Sequence, residues 1–116
     1  MRAHLLNSAM MPAAGVYRLV KINAKTFANY LQDYYEKNQL INYIGYEATT
    51  KHIKDITNIR IPVNRVQVND LRDGDVLLIC KLKYRLENPT NKGNKEFQKN
   101  LTCDDFEYYI AFYSER

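Results

Sequence analysis

Val76-Leu77-Leu78-Ile79-Cys80 is the longest uninterrupted aliphatic run in the chain, closed by a cysteine. Five successive apolar residues leave a strand without a polar face, so both faces must be covered by other parts of the fold. The pattern then changes: Leu82 and Tyr84 alternate with Lys81, Lys83 and Arg85. A strand over residues 76–85 is therefore expected to be buried at its start and to emerge at its end with three cations on one face. Asp73-Gly74-Asp75 supplies the turn that opens it. Five residues are far fewer than the ~20 a membrane helix requires, so no membrane span is expected.

The remaining elements follow from periodicity and punctuation. Residues 2–7 read as a short first strand, and residues 9–15, with Pro12 and Gly15, as a loop. Residues 15–22 alternate, with Val16, Arg18, Val20 and Ile22 on one side and Tyr17, Leu19 and Lys21 on the other. Asn23 is placed to cap a helix, because its side chain can accept from first-turn N–H groups. Phe27, Tyr30, Leu31, Tyr34 and Tyr35 then recur at helical spacing as far as Lys37, the stripe of a core-facing helix. A second helix is expected after Gly45, with Ala48, Thr49, His52, Ile53 and Ile56 on related faces, ending near Asn58. Residues 59–68 hold Pro62 and read as an edge strand or the entry to one. Residues 88–94 read as a loop, 95–101 as a helical turn or two, and 106–113 as a final strand. With 116 residues, no repeat and no linker, the chain is read as one α/β or α+β domain.

Charge is unevenly spread. Lys81, Lys83, Arg85, Lys92, Lys95 and Lys99 face only Glu87 and Glu96 between residues 81 and 99, a surplus equal to the net +4 of the whole chain. From Cys103 onward Asp104, Asp105, Glu107 and Glu115 outnumber Arg116. This asymmetry suits an anionic ligand near residues 81–99, and it also suits a plain solvated lysine-rich loop. Ten tyrosines and no tryptophan supply flat surface with a hydroxyl, useful for bases, interfaces or ordinary cores. Cys80 and Cys103 form no Cys-x-x-Cys pattern, so neither a disulfide framework nor a zinc site is expected, and Cys80 is expected to be a buried, inert thiol. The opening residues are too short an apolar stretch for a secretion signal, so a reducing, cytoplasmic setting is expected. Glycine-rich phosphate-binding motifs and histidine pairs at metal spacing are absent, and His52 reads as a packed or exposed helical histidine rather than a catalytic one.

Three segments carry candidate chemistry. Leu6-Asn7-Ser8-Ala9 ends a strand with small polar groups. Ile44-Gly45-Tyr46-Glu47-Ala48-Thr49 sets a glycine before a helix start, where backbone N–H groups can hold a phosphate. Tyr84-Arg85-Leu86-Glu87-Asn88 ends the main strand with an arginine whose planar fork suits a phosphate. Convergence of the three would make an anion site; the plainer account is a glycine-initiated helix and a snorkelling arginine.

Taken with Pro62-Val63-Asn64-Arg65-Val66 and Gly74-Asp75, which fall between the second segment and Arg85-Leu86-Glu87 of the third, these segments resemble in kind and order the small viral anti-CRISPR ring nucleases known from crenarchaeal viruses, phages and integrative elements. The resemblance runs over most of the chain. It implies a symmetric homodimer, a mixed five-stranded sheet flanked by helices, and a ligand pocket across the two-fold axis. The implied ligand is cyclic tetra-adenylate, a second messenger of type III CRISPR defence, cleaved without metal or cofactor by attack of a ribose 2′-hydroxyl on its neighbouring phosphate. Tyr46 and Arg85 fall at the implied catalytic positions, and Asn7, Ser8, Gly45, Thr49, Arg65 and Asn88 at implied ligand-binding ones. Two positions depart from the family pattern: the usual Ile-Gly-His is Ile44-Gly45-Tyr46, and the strand-end acidic-glycine pair is Asn88-Pro89. A phenol with a pKa of about 10 is poorly matched to proton transfer at neutral pH. Binding with slow or absent cleavage is therefore expected. The alternatives are a small basic protein that binds single-stranded nucleic acid weakly through residues 81–99, and a non-enzymatic interaction protein. Residues 92–100 are a candidate lid.

Overall fold

The computed structural model describes residues 2–9, 11–68, 70–83 and 101–115. The expectations for Arg85, Asn88, the 88–94 loop, the 92–100 lid and the helical turn at 95–100 lie outside them. The elements run β1 (Ala3–Leu6), β2 (Val16–Ile22), α1 (Ala24–Glu36), β3 (Leu40–Asn42), α2 (Glu47–Thr57), β4 (Val76–Leu82) and β5 (Phe106–Ser114), with a 3-10 turn at Cys103–Asp105 before the last strand. They form one mixed five-stranded sheet in the order β2-β5-β4-β1-β3. β1 runs parallel to both β3 and β4, whereas β5 pairs antiparallel with β4 and β2.

β4 is central, as its aliphatic run demands. Val76, Leu78 and Cys80 face a core shared with Ala3, Leu5, Phe27, Leu31, Ile53 and Ile110, beneath the two helices. Leu77 and Ile79 face the opposite side of the sheet, with Leu6, Ala111 and Tyr113, where Met11, Val68 and Leu71 from the connecting segments close over them. The alternation of β1 divides likewise: Ala3 and Leu5 turn to the helices, and His4 and Leu6 to the other face.

The helices start and stop where their end residues require. Asn23 Oδ1 accepts from the Thr26 N–H at 2.8 Å, which satisfies a first-turn donor of α1. Phe27 and Leu31 carry the buried stripe, while Tyr30 and Tyr35 are 37% and 52% exposed and lie outside the core. α2 ends at Asn58, whose left-handed backbone (φ 62°) closes the last turn. Gly15 is needed where it stands: at φ +148° a Cβ there would lie 2.5 Å from Tyr113 Cε1.

The fifth strand differs from the expected one. Residues 59–68 form no strand; the strand is β3, three residues long and too short to show alternation. Pro62 has no N–H to give a ladder. The 62–64 segment is instead tied to β3 largely by asparagine side chains: Asn42 Nδ2 donates to the Pro62 carbonyl at 2.5 Å and Asn64 Nδ2 to the Asn42 carbonyl at 2.9 Å. No helix among the described residues is long and apolar enough to cross a membrane.

Candidate functional site

β1 and β3 are parallel neighbours, so the chain leaves both at the same edge of the sheet, the place where open α/β sheets bind ligands. Asn7 follows β1, and Tyr43, Gly45 and Tyr46 bridge β3 to the start of α2. Arg65, Val66 and Gln67 come from the irregular segment that was expected to be a strand. These seven residues line a groove of about 530 Å³.

Its centre is the Gly45 peptide. Asn7 Oδ1 accepts from the Gly45 N–H at 2.8 Å, and Arg65 Nε donates to the Gly45 carbonyl at 2.8 Å. Three segments distant in sequence are thereby held on one residue. A Cβ at Gly45 would sit 3.4 Å from Arg65 Cγ and 3.7 Å from Asn7 Oδ1, which are ordinary contact distances, so the three residues surround Gly45 without crowding it. Because Arg65 is anchored through Nε, its two Nη groups remain for another acceptor, and they have no partner among the described residues. A guanidinium held this way presents parallel N–H groups to a phosphate.

α2 begins at the rim of this groove. Tyr46 is its N-cap residue in extended conformation and makes no side-chain cap, so the first-turn N–H groups are not satisfied in the usual manner. Glu47 in that first turn complements the helix dipole and opposes an anion placed directly on the axis. A phosphate is better accommodated beside the helix start, towards Arg65, than on the axis itself.

The other expected site residues fall elsewhere. Thr49 is only 2% exposed and turns inward with Ile53 and Thr57, because a helix beginning at Glu47 puts this spacing on its core face. Ser8 is exposed and does not line the groove. Tyr43 and Gln67 line it without having been expected to; each directly flanks a segment singled out by sequence, and neither has a composition that marks it.

At the opposite end of the same strands, where parallel β1 and β4 begin, lies a charged cluster that sequence reading missed. Asp75 Oδ2 accepts from Arg2 Nη2 at 2.7 Å and from the Arg72 N–H at 2.9 Å, and it pairs with His4 Nε2 at 2.9 Å. Burial pushes the Asp75 carboxyl up, but the Arg2 and His4 hydrogen bonds and the Arg72 N–H outweigh it and bring its pKa down to about 2. Arg2 also reaches Asp70 at 3.0 Å, tying the start of β1 to the segment before β4. The aliphatic strand around Asp75's neighbours gave no hint that His4 is fully buried.

His52 takes no part in the groove. It sits on the buried face of α2, stacked on Phe106 with ring centroids 4.1 Å apart, and its Nε2 meets the Tyr108 hydroxyl at 2.5 Å. Burial lowers its pKa and raises that of Tyr108. Cys80 is buried in β4, and burial raises its pKa too, as an unreactive thiol requires.

Comparison with known proteins agrees with this architecture. The solved structure of B116 of Sulfolobus turreted icosahedral virus (STIV) matches with a TM-score of 0.75 and 22% identity, covering 97% of this chain and 100% of that one. At that identity the likeness is one of fold. Uncharacterized protein 26 of Sulfolobus islandicus filamentous virus (isolate Iceland/Hveragerdi) is 39% identical over 85 residues, 72% of this chain and 70% of that protein. The STIV B116-like family model matches residues 3–110, which takes in β1 to β4, both helices and the first half of β5, and the chain therefore belongs to the STIV B116-like family.

Proposed function

We propose that this protein binds a cyclic oligoadenylate, with cyclic tetra-adenylate as the ring, and sequesters or slowly cleaves it in antagonism of type III CRISPR defence. The observation that carries the proposal is the meeting of Asn7, Gly45-Tyr46 and Arg65 on the one Gly45 peptide at the edge of a groove. Those residues come from three of the segments on which the ring-nuclease resemblance rests. A groove of about 530 Å³ is of small-ligand size and too small for a whole ring of four nucleotides. Two such grooves on a two-fold axis would each hold the same half of a symmetric ring, which is why the proposal includes a homodimer.

In this scheme Arg65 holds a phosphate through its Nη groups, and Asn7 fixes the Gly45 peptide against which the ring lies. Tyr46 stands where the family pattern has histidine. Its hydroxyl donates a hydrogen bond to a phosphate oxygen or to the leaving 5′-oxygen but transfers a proton poorly at neutral pH. Loss of a positioned general acid lowers the rate by about 10²–10⁴, so retention of the ring dominates over turnover. By the same resemblance Arg85 is assigned to clamping the phosphate or to the negative charge that develops on its non-bridging oxygens, and Asn88 to the ligand.

Equilibrium titration with cyclic and linear tetra-adenylate at low and high salt tests the reading. A groove for the ring predicts that the cyclic ligand is preferred at both salts and that Arg65→Ala weakens it by about 10- to 100-fold. Equal affinity for the linear form, falling steeply with salt, would instead mark a general nucleic-acid binder. Lys81 lies opposite Glu107 in the β4–β5 ladder, which offsets part of the basic charge such a binder would use.

A further inference from the structure

We infer that Tyr43 is the nucleobase platform of the groove, and that the buried Arg2–Asp75–His4 relay positions it. This rests on the reading of the groove as a cyclic-oligoadenylate site and adds to it the group that recognises the base. Tyr43 lines the groove beside Gly45 and Tyr46. One side of its ring is stacked on the His4 imidazole, with centroids 5.7 Å apart and planes 20° from parallel. His4 is fully buried and cannot drift, because Nε2 is held by Asp75, itself gripped by Arg2 and the Arg72 N–H. Its Nδ1 has no hydrogen-bond partner, which fits the tautomer whose proton sits on Nε2 and is donated to Asp75. The backbone of Tyr43 is fixed as well, its N–H donating to the Leu5 carbonyl at 2.9 Å.

A half-buried ring that is stacked on His4, packed against the Leu6–Leu77–Ile79 core and still lines the groove is a stacking surface prepared before the ligand arrives. Phosphate contact at Arg65 and stacking at Tyr43 would then sit in one groove, the two contacts a nucleotide needs.

The test uses the whole protein and cyclic tetra-adenylate. Proton NMR follows the Tyr43 ring resonances, assigned by their disappearance in Tyr43→Phe, as the ring is added. Calorimetry then compares wild type with Tyr43→Phe, Tyr43→Leu and His4→Gln. The inference predicts upfield movement of the Tyr43 resonances, near-normal affinity for Tyr43→Phe, and a loss of about 10- to 100-fold for Tyr43→Leu. His4→Gln, which keeps a donor near Asp75 but removes the stacking partner, is expected to weaken binding less than Tyr43→Leu. If wild type retains the ring while the Tyr43 resonances stay put and Tyr43→Leu binds normally, the platform is refuted and the ring-binding reading stands. If wild type does not retain the ring, both fall. Should Tyr43→Leu fail to fold, the wild-type resonances decide alone.

Discussion

Asp75 collects three donors in a site of almost no exposure: a guanidinium, an imidazole and a backbone N–H. Removing it strands two of them, so Asp75→Ala should cost about 3–5 kcal/mol in a urea-denaturation measurement near neutral pH. Its pH dependence follows from the depressed pKa. The carboxyl is at about 2 in the folded chain against its ordinary value of 3.8, so its stabilisation is complete above about pH 5 and disappears as pH falls towards 2. That contribution is about 2 kcal/mol. Denaturation midpoints measured between pH 5 and pH 2 should fall more steeply for wild type than for Asp75→Asn. Tyr46 gives a second prediction at this scale. Tyr46→His restores an imidazole at the helix start, and single-turnover cleavage of cyclic tetra-adenylate should rise by about 10²–10⁴. Binding should change little, since the Arg65 and Asn7 contacts with Gly45 are untouched.

At the level of elements, the strong signals were those with the most burial behind them. The run of residues 76–80 could only be a strand covered on both faces, and it stands between β1 and β5 with one core on each side. Asn23 as the N-cap of α1, and Asn58 as the end of α2, were legible because each residue type solves a specific backbone problem there. Asn23→Ala should therefore lower stability by about 1 kcal/mol, read by thermal unfolding. β3 was not legible. Three residues cannot show a two-residue period, and its outer edge is satisfied largely by Asn42 and Asn64 side chains rather than by a strand with a recognisable pattern. The apolar residues of 59–68 were misleading for the same reason: Ile61 reaches the core from an irregular segment, while Val63 and Val66 are exposed.

For the molecule as a whole, the groove exists because parallel pairing of β1 with β3 brings Asn7 to the start of α2, and the 62–67 segment folds back over both. Asn7, Gly45, Tyr46 and Arg65 were recognisable as parts of short ordered motifs. That they meet was not, since the contacts span 38 and 20 residues. Thr49 shows the opposite failure, a motif residue turned to the core once the helix phase was set by its start at Glu47. Tyr43 and His4 escaped notice because their significance is a stack between β1 and the residue just past its parallel neighbour β3, which neither residue advertises alone. The measurement that bears most directly on the central claim mixes excess protein with labelled cyclic tetra-adenylate in metal-free buffer and follows retention and products over hours. The account predicts that the ring is retained, largely intact, with any linear product ending in a 2′,3′-cyclic phosphate and appearing slowly. A ring that passes through unretained would contradict it.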